Sequence, residues 1–247
     1  MCIIVSLAGD NMSKVVLVTG ASRGLGAAIA KVFLDNNDKV YINYNNSEEK
    51  AINLAKDYNN ARLIKCDVSK ESEVINMINT IKNEDGKLDI VINNAGIAID
   101  TEINDKTIEN FKEILDVNLI GTFLVCKYTK NIMDKGNIIN ISSTNGIDTY
   151  YPYSLDYDAS KAGVISLTHN FALAYAPNIR VNCIAPGWIN TEMNKDMDKE
   201  YKENECQKIL LERFAEPNEI ANIVFFIASD KASYINNAVI RVDGGIK

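Results

Sequence analysis

The sequence predicts an α/β fold: a single domain built on one doubly wound parallel sheet of about seven strands, with helices on both faces. Two patterns carry this. Short, continuous apolar runs alternate along the chain with stripes of helical period, as strands buried on both faces and their crossover helices do. No repeat, low-complexity tract or Pro/Ser-rich linker divides the 247 residues, so the alternation belongs to one sheet.

Val15–Val18 is the first such run. It feeds Thr19-Gly20-Ala21-Ser22-Arg23-Gly24-Leu25-Gly26, after which Leu25, Ile29, Val32 and Phe33 recur at helical spacing. Glycines allow the tight turn and a ligand's close approach, and free N–H groups at the helix start attract a phosphate. Gly20, Ser22, Arg23, Gly24, Leu25 and Gly26 are therefore candidate nucleotide contacts, a purely structural turn being the alternative. Lys39–Tyr44 is the second strand. In such sheets the residue at its end meets the adenosine ribose, where an acid favours a free 2′-hydroxyl. Here Tyr44 and Asn45 stand there, with no carboxylate before Glu48, and Arg23 is placed to reach a 2′-phosphate. NADP(H) is favoured on this ground, with NAD(H) the alternative.

Residues 47–59 read as a helix with Ala51, Leu54, Ala55 and Tyr58 inward, and residues 62–66 as the third strand. Asp67-Val68 follows; the Asp67 carboxylate either accepts from an adenine amino group or caps the helix beginning near Glu71. Val74, Ile75, Ile78 and Ile81 give that helix its stripe. Residues 88–92 form a fourth buried strand, ending in Asn93-Asn94-Ala95-Gly96 where ligands sit in such sheets. One helix then carries Phe111, Ile114, Leu115, Asn118, Leu119 and Phe123. The Asn118 amide needs partners, either in the core or through a water beside a site.

Residues 138–141 deliver Ser142 and Ser143 at the end of a fifth strand. Tyr150, Tyr151 and Tyr153 precede the next helix; they read as loop or interface residues, with a pocket wall as the alternative. Residues 179–185 form the sixth strand, followed by Pro186-Gly187-Trp188-Ile189-Asn190-Thr191. Trp188, Met193, Met197 and Tyr201, mixed with many charges, make residues 187–213 read as a mobile lid. A helix over 217–229, a last strand over 238–242 and the turn Asp243-Gly244-Gly245 complete the chain. Residues 1–13 read as an extension that adds little to the fold, and 14–247 as the domain.

A net charge of −7 argues against a nucleic-acid partner, and the apolar stretch over residues 2–8 is too short to span a bilayer. Five scattered cysteines and the single His169 offer no metal spacing, so no metal is expected. The thiols read as reduced residues of a cytoplasmic protein, and His169 as a surface or packing side chain.

The chemistry centres on Tyr157 and Lys161, four apart and so on one face of a helix. A cation beside a phenol favours the phenolate; moving its pKa three units toward neutrality takes about 4 kcal/mol. Such a tyrosine can give a proton to a carbonyl oxygen or take one from an alcohol. With 11 tyrosines and 21 lysines the spacing alone is expected by chance about once, so its weight comes from its company.

That company, in order, is Thr19-Gly20-x-x-x-Gly24-x-Gly26, Asp67, Asn93-Asn94-Ala95-Gly96, Asn118, Ser143, Tyr157-x-x-x-Lys161, Pro186-Gly187 and Asp243-Gly244-Gly245. The ordered set, over about residues 14–245, resembles the short-chain dehydrogenase/reductase family with its Rossmann fold. The resemblance implies Tyr157 as general acid and base, Lys161 lowering its pKa and holding the nicotinamide ribose, and Ser143 orienting the substrate oxygen. It implies Asn118 as anchor of a relay water. Asn94, Ala95 and Gly96 would line the cofactor, and Ile189 and Thr191 would meet the nicotinamide amide. Val181 to Gly187 is most similar to the 3-oxoacyl-[acyl-carrier-protein] reductases, which implies a small-molecule carbonyl substrate, an acyl carrier protein as partner and a homotetramer. Asp134 and Leu173 stand where carrier-binding members carry basic residues, and Asn236-Asn237 replaces the usual Thr-Gly. An acidic carrier would be steered by a positive patch, so these departures weigh against it.

Overall fold

The structure, a computed structural model, describes residues 13–194 and 197–246. The expected extension lies, but for Ser13, outside the described residues. Seven strands, β1 (Val15–Val18), β2 (Lys39–Tyr44), β3 (Ala61–Lys65), β4 (Ile90–Asn93), β5 (Gly136–Ile141), β6 (Ile179–Pro186) and β7 (Val239–Val242), form one sheet in the order β3-β2-β1-β4-β5-β6-β7. Every pairing is parallel.

Alternate residues of the same strand enter opposite cores, which is why the strands read as continuous apolar runs. Val16, Val18, Ile90, Ile92 and Ile139 pack against α1 (Gly24–Asp35) and α8 (Pro217–Ala228), through Ile29, Phe33, Ile220 and Val224. Val15, Leu17, Val91 and Ile138 face the other way. They meet α3 (Glu71–Asp85), α5 (Gly121–Thr129) and α6 (Leu155–Tyr175) through Val74, Met77, Leu124 and Ala172.

The helix boundaries have local causes. Pro217 and the reciprocal Glu216–Glu219 capping box start α8. Thr107 caps α4 (Ile108–Leu115) by accepting from the Asn110 N–H, and Gly86 at φ 70° ends α3. The second helix is shorter than expected, α2 spanning Glu48–Ala55. In α3 the buried stripe runs through Met77 rather than Ile75, because the residues at 74, 77, 78 and 81 share the face that meets the sheet. The single helix expected across Phe111 to Phe123 is interrupted by a π-helical turn over Asp116–Ile120, which widens the ladder around Asn118. Among the described residues no helix is long and apolar enough to cross a membrane.

The turn after β1 is packed so closely that one added carbon collides. A Cβ on Gly26 would lie 2.4 Å from both the Gly20 carbonyl oxygen and Asn94 Nδ2. Gly26→Ala should therefore cost about 1–3 kcal/mol in chemical denaturation. Gly86→Ala, where a Cβ meets nothing within 4 Å and only the positive φ resists, should cost about 1–2 kcal/mol. A parental denaturation midpoint for Gly26→Ala would show that the turn relaxes freely.

Candidate active site

The C-terminal ends of the strands open onto a cleft of about 1690 Å³, centred where strand order reverses between β1 and β4. Its floor at that point is the Gly-rich turn. Gly20 and Gly24 are left-handed at φ 61° and 57°, and a Cβ on Gly20 would sit 2.8 Å from Ala95 Cα. Three side chains tie the turn to its neighbours, Thr19 from within it and Asn43 and Asn94 from the ends of β2 and β4. Thr19 Oγ1 accepts from the Asn94 and Ala95 N–H groups, both at 3.0 Å. Asn94 Nδ2 donates to the Thr19 and Gly20 carbonyls, and Asn43 Oδ1 accepts from the Gly20 N–H at 3.1 Å. Asn94 thus lines the cleft as a brace. The first N–H groups of α1 carry no side-chain cap from Arg23, so this cradle fits a dinucleotide's pyrophosphate.

At the end of the cleft beside β2, Arg23 is exposed and has no side-chain partner among the described residues, and Asn45 is also exposed in the cleft lining. Tyr44 lines the cleft at the strand end, as expected of its position, but is largely buried, and its hydroxyl donates to Glu48 Oε1 at 3.0 Å, bringing that carboxylate to the strand end. Lys50, which the sequence reading passed over, forms an ion pair with Glu192 across the cleft. Asp67 does not cap α3. Its Oδ1 accepts from the Ser69 N–H and hydroxyl, and Lys70 stands at the helix N-cap. Val68 is buried, filling the space that a Cβ on Gly121 would enter.

At the other end, β5 and α6 bring Ser143, Tyr157 and Lys161 together. Ser143, Tyr157 and Lys161 all line the cleft here, and the Ser143 hydroxyl donates to Asn145 Oδ1 at 3.1 Å and caps the turn that follows by accepting from the Asn145 N–H at 3.2 Å. Ser142 instead donates to the Lys161 carbonyl at 2.8 Å, which separates the two serines' parts. Lys161 is buried, with Nζ 2.9 Å from the Ile141 carbonyl oxygen and 5.4 Å from the centre of the Tyr157 ring. A Cβ on Gly96 would come within 3.5 Å of that ammonium, so glycine keeps the space before it open.

Asn118 is also buried. Its Oδ1 accepts from the Ile97 N–H at 2.8 Å, while Nδ2 donates to the Ile97 carbonyl and to Ser160 Oγ. The core alternative therefore accounts for most of its capacity, leaving one acceptor site on Oδ1.

The electrostatics depart from the sequence expectation. Burial pushes the Tyr157 phenol up to about 12; the nearby Ser143 hydroxyl opposes this, and Asp158 and Asp100 add to it. Burial likewise pushes the Lys161 ammonium down to about 8. In the protein alone, desolvation outweighs the help that the ammonium was expected to give the phenol.

The remaining wall follows β6. Pro186 is buried at the strand end, and a Cβ on Gly187 would strike Asp243 at 2.8 Å. Ile189 bridges to Ala215, and the Thr191 side chain lies 3.7 Å from where a Cβ on Gly24 would stand. The segment expected to be a lid, of which residues 195 and 196 lie outside the described residues, contains α7 (Lys199–Gln207), which buries no residue fully but is tied to the wall. Trp188 stacks on Phe214 and donates to Glu205, and Lys202 donates to Asn190 Oδ1 at 2.9 Å. Tyr150, Tyr151 and Tyr201 line the cleft with Asp100, whereas Tyr153 does not. Asp100 and Tyr201 carried no spacing signal; their places come from the fold. His169 lies at the surface beside Asn237, as expected.

The chain is similar to known proteins over nearly its whole length. The family profile described as enoyl-(acyl carrier protein) reductase matches residues 20–247. Glucose 1-dehydrogenase 2 of Bacillus subtilis is 35% identical over 248 residues, covering 96% of this chain and 96% of that protein. A 3-oxoacyl-[acyl-carrier-protein] reductase of Staphylococcus aureus is 38% identical over 244 residues, covering 96% and 99%. Among solved structures, a dehydrogenase/reductase from Sinorhizobium meliloti superposes with a TM-score of 0.90 at 30% identity, covering 94% of each chain. A variant of a Serratia marcescens short-chain dehydrogenase/reductase gives 0.89 at 30% identity, covering 94% of this chain and 97% of that one. On the match over nearly its whole length, the chain belongs to the short-chain dehydrogenase/reductase family and is an oxidoreductase acting on CH–OH donors with NAD(P).

Proposed function

We propose that the protein is a cytoplasmic, NADP(H)-dependent enzyme that interconverts a carbonyl and a secondary alcohol, with Tyr157 as general acid in reduction and general base in oxidation. The convergence of Ser143, Tyr157 and Lys161 beside Gly96 carries this reading. When bound, the nicotinamide ring supplies or accepts the hydride. Gly20, Ser22, Gly24, Leu25 and Gly26 would hold the pyrophosphate. Asp67 and Val68 would meet the adenine, and Ala95, Gly96, Pro186, Gly187, Ile189 and Thr191 the nicotinamide half. Ser143 Oγ orients the substrate oxygen at the Tyr157 hydroxyl. The Lys161 ammonium holds the ribose hydroxyls, and the free acceptor of Asn118 Oδ1 holds a water that refills the proton path. Residues 187–213 act as the lid.

Arg23, exposed and unpartnered among the described residues, supports NADP(H) as the cofactor. For the substrate, a 3-oxoacyl thioester is the reading that the S. aureus relative favours. Exposed Asp134 and Leu173 give an acidic carrier protein no positive surface there. A second reading, a small polyhydroxylated substrate, is favoured by the Asp100 carboxylate and the Tyr151 and Tyr201 hydroxyls in the cleft, which suit hydroxyl groups. Phe123 and Leu173, exposed on α5 and α6, support a homotetramer as the assembly.

Three outcomes test the proposal. Tyr157→Phe should keep NADPH affinity and cut turnover by about 10²-fold or more in a panel of a 3-oxoacyl thioester, an aldose and simple ketones. Undiminished turnover would remove Tyr157 from the chemistry. Arg23→Ala should weaken NADPH by about tenfold or more while sparing NADH, the worth of a hydrogen bond to a charged group; equal losses for both would count against the 2′-phosphate. Because burial holds the Tyr157 proton tightly, alcohol oxidation should speed up as pH rises from neutrality toward 10, and carbonyl reduction should not. A pH-independent oxidation rate, with chemistry rate-limiting, would exclude the phenolate as base.

A further inference from the structure

Between β4 and α4 the chain crosses the mouth of the cleft, and it is pinned at both ends of that crossing. At the near end, Ile97 exchanges two hydrogen bonds with the Asn118 side chain. At the far end stands Lys106, whose ammonium lies 2.8 Å from both carboxylate oxygens of Asp156. The two side chains are 4% and 0% exposed, so this ion pair is held away from solvent. Lys106 also donates to the Ile99 carbonyl at 3.0 Å, folding the crossing back on itself. A second tie joins the same two segments, from the Thr101 N–H to the Tyr153 carbonyl at 2.9 Å.

Asp156 lies in the first turn of α6, and its Oδ1 accepts from the N–H of Tyr157 at 3.0 Å. The stretch so pinned presents Ala98 and Asp100 to the cleft. A buried ion pair is a poor means of stability, since an apolar pair of similar volume stabilises as well or better, whereas removing one partner alone strands a buried charge.

We propose that Lys106 and Asp156 are a positioning pair that locks the substrate-facing wall at Ala98 and Asp100 to the first turn of the helix bearing Tyr157. The catalytic meaning of the lock rests on the reading of Tyr157 above; the lock itself does not. Neither residue touches the reacting atoms; they act through the wall and the helix turn.

The test compares the parent with Lys106→Met/Asp156→Leu, which removes both charges together, and with Lys106→Arg, which keeps the pair. Lys106→Gln/Asp156→Asn, which keeps polar partners, replaces the apolar pair should that variant not fold. Two readouts are used: amide hydrogen exchange without substrate, and steady-state kinetics with NADPH and ethyl acetoacetate. In the paired replacement, peptides over 97–107 should exchange about tenfold faster or more while those over β1 and α1 stay at the parental rate. NADPH affinity should hold. KM for the ketone should rise about tenfold with a smaller change in kcat, the mark of lost substrate positioning. Lys106→Arg should restore both. Parental exchange and parental KM in the paired replacement would overturn the proposal, as would a Lys106→Arg variant as impaired as the pair. A parent that turns over no carbonyl defeats the proposed function instead, and the exchange measurement then decides the lock alone.

Discussion

An ammonium buried with a single carbonyl for a hydrogen-bond partner among the described residues is the constraint around which the proposed catalytic end of this molecule is arranged. Lys161 sits at the end of β5 with its Nζ on the Ile141 oxygen, and burial lowers its proton affinity to about 8. Its folded value lies below the ordinary lysine value of 10.5. Between about 8 and 10.5 the unfolded chain therefore keeps a proton that the native chain has released, and this group's contribution to stability rises with pH. Below about 8 both states are charged and the native state carries the full cost of desolvation. That cost is tolerated at one position facing a cleft, beside the phenol, where a ligand's hydroxyls can complete the ammonium's coordination.

The same logic explains how the surroundings are held. The strand ends converge through buried polar side chains rather than apolar contacts. Asn93 Nδ2 donates to Asn140 Oδ1 at 2.8 Å, and Asn140 Nδ2 donates to Thr168 of α6 at 2.9 Å, joining β4, β5 and the helix that carries Tyr157 and Lys161. Thr19, Asn43 and Asn94 do the equivalent at the Gly-rich turn. Hydrogen bonds have direction where apolar contacts do not, so these networks fix angles as well as distances. The cleft is thus bordered by two rigid polar frames, one on each side of the switch between β1 and β4.

Much of this was legible in the sequence because it depends on local pattern. β1 and β2 have the bounds that their apolar runs predict, and Tyr157 and Lys161 share a face by spacing alone. What was not legible depends on which distant partner a side chain finds. Tyr44 could not be read as the partner of Glu48, because a strand end does not say which way its last side chain turns. Asp67 has Ser69 two residues away, yet a helix cap was an equally good local choice. The π-helical turn at Asn118 has no pattern signature; it follows from Ile97 and Ser160 drawing one amide inward from two directions. The charge on Lys161 was visible, but its burial, which reverses the expected balance with Tyr157, belongs to the packed state.

The cleft's charge distribution bears on how the two ends act together. Lys50 and Glu192 close an ion pair at the end of the cleft beside β2, joining α2 to the segment that follows β6. At the other end Lys106 and Asp156 hold the crossing after β4 to α6. The two pairs differ in the medium that surrounds them. The first is about half exposed on both partners, so salt and solvent weaken it and an anionic group on a ligand can compete for Lys50. The second is shielded, and breaking it would strand a charge. A cleft with a yielding tie at one end and a fixed one at the other can admit a long ligand at the yielding end without disturbing the distance between the fixed wall and Tyr157. That division suits a protein that must take in and release a dinucleotide each cycle while keeping the reacting geometry unchanged.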